Sequence, residues 1–143
     1  IGGENLMKGL KPDHEKWSLK ILYPDKARSI LQEAYCGVVL TDKAMATSGP
    51  YVQQKEINGI KYSHTIDPRT GFPVEQNILS ISVLADDCMT ADGIATALNV
   101  MSLLEIKTFL KENPQFDVLI LHKENNEIRE FVTDGFKNKM IEL

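Results

Sequence analysis

The 143-residue sequence predicts an α+β domain in which two consecutive helices pack on an antiparallel sheet. Three observations lead to this fold class. Segments with the two-residue alternation of half-buried strands occupy both ends of the chain, and residues with helical spacing fill the stretch between them. A short polar turn separates the last two apolar segments, as in a hairpin.

The amino-terminal half is predicted to be β-structure. Apolar and polar residues alternate from Trp17 to Tyr23, and Pro24 ends this strand. Residues 37–45 predict a second strand, and residues 57–66 alternate again. The apolar run 78–85 follows a turn, so we expect antiparallel pairing among these strands.

Two helices and a terminal hairpin are predicted next. Helical spacing relates five apolar residues, Ala91, Ile94, Ala95, Leu98 and Met101. We therefore expect one helix over about residues 89–102 and a second over residues 104–112, which Pro114 ends. The apolar segments 116–121 and 128–132 flank a polar turn and predict a hairpin.

Composition and charge argue against several functional classes. The chain is 43% hydrophobic and 25% charged, which is ordinary for a globular domain. Its net charge is -4 and its Lys and Arg residues are scattered, so we expect no nucleic-acid partner. Cys36 and Cys88 lack CxxC spacing, and therefore neither define a zinc site nor require a disulfide.

The segment from Tyr62 to Pro73 contains the densest functional signal. Residues Asp67 to Gly71 have favourable turn chemistry, because Asp can accept a backbone N–H, Pro restricts φ and Gly can take a positive φ. His64 directly precedes this turn, where a strand end meets a loop and catalytic groups are often displayed. The residues alone leave a packed or surface histidine as the alternative.

A second candidate site lies where the first predicted helix starts. Asp92 and Thr96 are four residues apart, so their oxygens lie on one helix face and could share a hard cation. The structural alternative is that Asp favours the first helical turn and that Thr bonds the carbonyl one turn back. Gly93 costs helix stability, which indicates close approach of another group to the backbone there. The amino-terminal end of a helix can also bind phosphate.

Two other segments give weak signals. No GxSxG elbow surrounds Ser48, which argues against a serine hydrolase. Residues Ile1 to Asn5 contain a glycine pair but lack the complete dinucleotide-binding or P-loop pattern.

The order of these motifs resembles the carboxy-terminal half of the ApbE family of flavin transferases. Residues His64 to Val74 read H-x-I-D-P-x-T-G-x-P-V, and Ala91 to Thr96 read A-D-x-x-x-T. A Gly-Gly pair, a Trp strand and Ser-Gly before Tyr precede them in the same order. The resemblance implies an ApbE-like, T-fold-related fold and an incomplete chain, with residues 1–143 as the carboxy-terminal part and the upstream half absent.

The resemblance also implies an activity. ApbE-like enzymes transfer FMN from FAD to a Thr or Ser hydroxyl of a target protein in a magnesium-dependent reaction that releases AMP. An FAD pyrophosphatase giving FMN and AMP, and a non-catalytic flavin-binding remnant, are the alternatives. FAD and a flavin-acceptor protein are the implied partners, and the 143 residues alone are expected to be inactive. Family resemblance further implies a periplasmic or inner-membrane lipoprotein, anchored by lipid outside this chain.

Four residues take roles by this resemblance. Asp92 and Thr96 fall on the magnesium ligands. His64 falls on the proposed general base, which takes the proton of the attacking hydroxyl. Ile66 lies where the backbone reaches the flavin nucleotide.

Two departures from the family pattern affect these roles. Pro50 stands where the family usually has Asp, and Ala95 stands where some members place a further oxygen ligand. Since Mg²⁺ prefers about six oxygens, the site would depend on water, substrate phosphates and a carbonyl from the upstream half.

Overall fold

A computed structural model describes residues 4–24, 33–49, 54–57, 60–74 and 77–142. The described elements are β1 (Asn5–Met7), β2 (Trp17–Leu22), β3 (Ala34–Leu40), β4 (Lys43–Ser48), β5 (Gln54–Ile57), β6 (Ile60–Ser63), β7 (Ile78–Ala85), α1 (Cys88–Leu98), α2 (Leu103–Glu112), β8 (Asp117–Glu124), β9 (Glu127–Val132), α3 (Asp134–Lys137) and β10 (Met140–Ile141). Within these ranges, no helix has the length and apolar character needed to cross a membrane.

The central layer is a five-stranded sheet with the strand order β1-β4-β7-β8-β9. Every neighbouring pair in this sheet is antiparallel. A second sheet has the order β10-β3-β2, and β5 pairs with β6 as a separate hairpin. The predicted α+β class with an antiparallel sheet is therefore confirmed.

The helices cover one face of the five-stranded sheet. Alternate sheet residues such as Ala46, Val83 and Ile120 pack in one cluster with Ala95 and Ile106 of the helices. Because side chains alternate across a strand, their neighbours along the chain face the other way. One face of the sheet thus fixes the position of α1 and α2.

The opposite face packs against the second sheet and α3. Met45, Leu84 and Leu119 of the central sheet share a cluster with Val38 of β3 and the fully buried Phe136 of α3. The central strands are consequently buried on both faces, which explains why β7 is apolar along most of its length.

Several predicted elements are confirmed, and their observed ends differ from the predicted ones by at most three residues. The alternating segment from Trp17 forms β2, residues 78–85 form β7, and residues 104–112 fall within α2. The predicted terminal hairpin is the pair β8 and β9.

The predicted single strand over residues 37–45 is wrong. The chain turns between Leu40 and Lys43, so this segment contains the end of β3 and the start of β4. Asp42 adopts a left-handed φ of 50° in the turn, and its carboxylate accepts the Gly9 N–H at 3.1 Å. Apolar residues on both sides of the turn concealed it, because both strands are buried.

The predicted strand over residues 57–66 is also corrected. β5 ends at Ile57, residues 58 and 59 lie outside the described residues, and β6 ends at Ser63. The Ser63 hydroxyl accepts the Thr65 N–H at 3.1 Å, a local bond of the kind that turns the backbone out of a strand.

The first helix is shorter than the predicted range 89–102. It ends at Leu98, and the Asn99 N–H donates to carbonyls of the last turn as a cap. Ser102 belongs instead to α2, because its hydroxyl accepts the Glu105 N–H and begins that helix with a capping box.

Candidate functional site

Asp92 and Thr96 lie together on the solvent-facing side of α1. The opposite face of this helix is formed by Ala91, Ala95 and Leu98, which are fully buried against the sheet. Residues four apart lie one turn from each other on the same face, so the burial of α1 directs both side chains outward. The structure therefore brings this predicted pair together.

The predicted position of Asp92 in the first helical turn is wrong. α1 begins at Cys88, and its N-cap is Asp87, whose carboxylate accepts the Thr90 N–H at 2.8 Å. The Thr90 hydroxyl donates to the same carboxylate at 2.8 Å, and the backbone bond holds the pKa of Asp87 below its usual range. Asp92 thus lies in the second turn, beyond the amides that the helix start leaves unpaired.

Two neighbours of the pair have different surroundings. Ala95 is buried under the helix, so it faces the core and not the side that Asp92 and Thr96 occupy. Gly93 is exposed, and a Cβ placed on it would meet no atom within 4 Å. Any group that closely approaches this glycine would therefore come from outside the described residues.

The chemistry of the pair suits a hydrated magnesium ion. A carboxylate and a hydroxyl are hard oxygen donors, and Mg²⁺ commonly keeps several waters while binding one or two carboxylates and substrate phosphates. Among the described residues, no group of three or more His, Cys, Asp or Glu side chains could hold a metal. Asp92 and Thr96 would thus supply only part of a coordination shell.

The structure places His64 at the surface just after β6. His64 and Ile66 are exposed, Ile66 by 50%, whereas Thr65 between them is buried. Ile66 also forms an isolated antiparallel bridge with Pro73, which closes the loop that follows His64.

A buried hydrogen bond ties the His64 segment to α1. The Asn99 side-chain amide donates to the Thr65 hydroxyl at 3.2 Å. Asn99 caps the carboxy-terminal end of the helix that carries Asp92. Since Thr65 adjoins His64, the predicted base and the predicted metal ligands belong to two directly connected elements.

The turn chemistry predicted for residues Asp67 to Gly71 is confirmed. The Asp67 carbonyl accepts the Gly71 N–H at 2.8 Å, and Gly71 has a φ of 74°. The Asp67 carboxylate accepts the Arg69 N–H at 2.9 Å. The Arg69 side chain is the main cause of the lowered pKa of Asp67, so this carboxyl is ionised at neutral pH.

Sequence reasoning missed the role of Arg69. Its guanidinium also contacts Glu105 and Val100, which lie at the corner between α1 and α2. The capping box of Ser102 and Glu105 is readable as S-x-x-E, but no sequence pattern identifies Arg69 as a partner of Glu105.

An open cleft of about 1300 Å³ lies beside these residues. It is bounded by the loop that includes Arg69 and Phe72, by the α1–α2 corner, and by residues His122 to Asn125 near the β8–β9 turn. His64, Ile66, Asp92 and Thr96 are not in its lining, although Tyr62 and Asp67 on either side of the His64 segment are.

Some sequence features lie outside the described residues. They include the Gly2-Gly3 pair and Pro50, which is one of the two departures from the family pattern. Ser48 ends β4, and the neighbouring Thr47 hydroxyl shares a 2.8 Å hydrogen bond with Ser82.

Comparisons with known proteins agree on one family. A family model described as "ApbE family" matches residues 1–120. The chain is 39% identical over 137 residues to an FAD:protein FMN transferase of Vibrio cholerae, covering 96% of this chain and 40% of that relative. It is 36% identical over 125 residues to the protein of the same name from Haemophilus influenzae, covering 87% of this chain and 36% of that relative.

Solved structures show the same similarity. The flavin transferase ApbE from Vibrio cholerae matches with a TM-score of 0.78 and 37% identity, over 97% of this chain and 42% of that one. The ApbE protein from Thermotoga maritima matches with a TM-score of 0.80 and 26% identity, over 96% of this chain and 42% of that one. The chain thus spans about 40% of the length of the relatives that it matches.

Proposed function

The chain belongs to the ApbE family, and on this premise we propose that it forms part of an enzyme that transfers FMN from FAD to an acceptor protein. The relatives named above are FAD:protein FMN transferases that extend well beyond the matched region. We propose that this chain corresponds to their carboxy-terminal part, and that segments equivalent to the rest of their length supply most of the flavin contacts.

One structural observation supports the proposal most directly. The buried bond between Asn99 and Thr65 connects the helix that exposes Asp92 and Thr96 to the segment that exposes His64. Phosphoryl transfer to a hydroxyl requires charge stabilisation at the phosphates and a base for the hydroxyl proton. This chain offers candidates for both tasks on adjoining elements.

Asp92 and Thr96 would hold magnesium through a carboxylate oxygen and a hydroxyl oxygen. Bound magnesium would offset negative charge on the FAD pyrophosphate. The open surroundings of Gly93 leave room for phosphate oxygens beside this pair.

His64 would take the proton of the acceptor's Thr or Ser hydroxyl. The hydroxyl oxygen would form a bond to the phosphorus of the FMN half, the bond between that phosphorus and the bridging oxygen would break, and AMP would leave with the bridging oxygen. Imidazole titrates near neutral pH, which suits a general base. Ile66, which is 50% exposed, would lie where the backbone reaches the flavin nucleotide.

Hydrolysis of FAD to FMN and AMP is the second candidate. The exposure of His64 favours it as an alternative, because water can reach this side chain as readily as a protein hydroxyl.

By family resemblance we also propose a periplasmic or inner-membrane location through a lipid anchor outside this chain, which cell fractionation would test.

The intact mass of an acceptor protein tests the proposed reaction. The natural polypeptide that contains this chain is incubated with FAD, magnesium and the acceptor. A mass increase equal to bound FMN, with release of AMP, supports transfer. Free FMN and AMP with an unmodified acceptor would indicate hydrolysis, and no FAD turnover would favour a non-catalytic flavin-binding remnant.

His64→Asn tests the general base. We expect the single-turnover transfer rate to fall by about two to four orders of magnitude, while FAD and metal affinities stay nearly unchanged. His14→Asn is the matched control, because His14 is another exposed histidine and Asn tolerates its left-handed φ of 64°. A His64 variant that loses stability but transfers FMN at the control's rate would contradict the catalytic role.

A further inference from the structure

We propose that Arg69 is a positioning residue that holds the loop after His64 against the corner between α1 and α2. The consequence for catalysis rests on the proposed function, since it assumes that His64 is the base. The proposal that Arg69 holds the loop does not depend on the proposed function, because the contacts of Arg69 are the same whatever reaction the protein performs.

Arg69 contacts three different groups with its guanidinium. Nε donates to an Asp67 carboxylate oxygen at 3.0 Å, and Nη2 donates to the other oxygen at 2.8 Å. Nη2 also donates to the Val100 carbonyl at 2.6 Å, while Nη1 donates to Glu105 at 2.9 Å. Only the planar, forked guanidinium presents donors in these several directions at once. We call Asp67, Arg69, Val100 and Glu105 the Arg69 network.

Both carboxylates of the network are themselves fixed by the backbone. Asp67 accepts the Arg69 N–H in its own turn, and Glu105 accepts the Ser102 N–H at 2.6 Å in the α2 capping box. The Ser102 bonds, followed by Arg69, hold the pKa of Glu105 below its usual range. Arg69 therefore joins two rigid, charged anchors instead of two mobile surface side chains.

The network supplies the second of two attachments that follow His64 in the chain. Directly after His64, Thr65 is bonded to Asn99 at the end of α1. Farther along the loop, Arg69 is bonded to Val100, one residue beyond Asn99. With both attachments present, the segment that carries His64 cannot shift relative to α1 without breaking a hydrogen bond. Loss of Arg69 would remove the second of these attachments.

The expected effect of losing Arg69 is local. Its side chain is 55% exposed, and exposed ion pairs contribute little to global stability. A displacement of about 1 Å in a reacting group can nonetheless slow catalysis by about 10²-fold. Loop mobility and transfer rate should therefore change while the melting temperature does not.

Arg129 provides a closely matched control. Like Arg69 it is an exposed arginine, 58% against 55%, and it bonds a carboxylate two residues earlier in the chain at 2.8 Å. That partner, Glu127, lies in the same strand β9, so the pair joins no separate elements. Arg69→Gln and Arg129→Gln thus remove the same charge and a similar local pair, but only the first breaks a connection between the loop and the helices.

The experiment measures amide hydrogen exchange and single-turnover transfer in the natural polypeptide. The amides of Thr70 and Gly71 donate to the Asp67 backbone carbonyl. In Arg69→Gln, we expect hydrogen exchange at these two amides to accelerate by about tenfold or more relative to Arg129→Gln. We expect FMN transfer to slow by about ten- to 10²-fold, with FAD affinity and melting temperature equal to those of the control. Arg69→Lys, which keeps the charge but not the fork, should behave like Arg69→Gln.

The two readouts separate this proposal from the proposed function. Equal exchange in the Arg69→Gln and Arg129→Gln variants would overturn the proposal that Arg69 holds the loop. Faster exchange with an unchanged transfer rate would overturn its positioning role in catalysis. Full rescue by Arg69→Lys would overturn the requirement for the guanidinium fork. If the unmodified protein transfers no FMN, the proposed function fails and the positioning role for catalysis falls with it, while hydrogen exchange still decides whether Arg69 holds the loop.

Discussion

Gly93→Ala should stabilise the fold and weaken ligand binding at the same time. Gly93 lies in the middle of α1 on the side that faces solvent, and a Cβ there would meet no atom within 4 Å. Replacing Gly by Ala at such a helix position gains about 1 kcal/mol, because Gly loses more backbone freedom on folding. Since the added methyl group would clash with no described atom, we expect nearly the whole gain to appear in the free energy of unfolding.

Binding should change in the opposite direction if phosphate oxygens approach α1 beside Asp92. The added methyl would then occupy space that the bound FAD and magnesium need. Overfilling a packed site typically costs about 1–3 kcal/mol, which is roughly a five- to 150-fold loss of affinity. We therefore expect magnesium-dependent FAD affinity to fall within this range.

Gly135→Ala is the control for a glycine whose space is filled. A Cβ on Gly135 in α3 would overlap the Asp117 carboxylate. That carboxylate is held by the Thr133 hydroxyl at 3.1 Å and by the Lys139 ammonium at 3.3 Å, so it cannot move away without losing bonds. We expect this variant to lose about 1–3 kcal/mol of unfolding free energy.

Urea unfolding and calorimetric titration of FAD with magnesium would measure both effects on the same preparations. Destabilisation by Gly93→Ala would refute the placement of this glycine in an exposed, unobstructed helix. A stabilised variant with unchanged FAD affinity would show that no ligand approaches the backbone at Gly93.

Three other predictions concern the proposed magnesium ligand, the isolated chain and the Arg69 network. Asp92→Asn should abolish or strongly reduce the magnesium dependence of FAD turnover, whereas Glu112→Gln, which neutralises an exposed carboxylate on α2, should not; equal behaviour would contradict the ligand assignment. Residues 1–143 alone should bind FAD poorly in calorimetry at micromolar protein, and tight binding would mean that the nucleotide site is complete within them. Arg69 lowers the pKa of Asp67 below 3.8, so the stability from this pair is present above pH 3.8 and lost as the pH falls through the lowered pKa. Exchange at the Gly71 amide, corrected for its intrinsic pH dependence, should be flat from about pH 5 to 8 and accelerate below pH 3.8; acceleration near neutral pH would contradict this.

Sequence patterns predicted secondary structure best in strands that are buried on one face and in helices whose apolar residues recur at regular spacing. The turn at Asp67 to Gly71 was predictable because each of its residues is locally suited to it. The turn at Asp42, which joins β3 of one sheet to β4 of the other, was not, since the apolar residues on both sides of it were interpreted as one strand. The extent of α1 was overestimated because apolar spacing continues through Met101, while the Asn99 cap ends the helix.

The sequence by itself determined the family, the α+β class and the placement of Asp92 and Thr96 on one helix face. These depend on motif order and on the 3.6-residue helical period, which neighbouring residues specify. Only the tertiary structure decided that this face points to solvent and that the His64 segment is bonded to α1. The bonds from Asn99 to Thr65, from Arg69 to Val100 and from Arg69 to Glu105 span 34, 31 and 36 residues. No local pattern specifies contacts at such separations, because they form only when the sheet and helices have packed together.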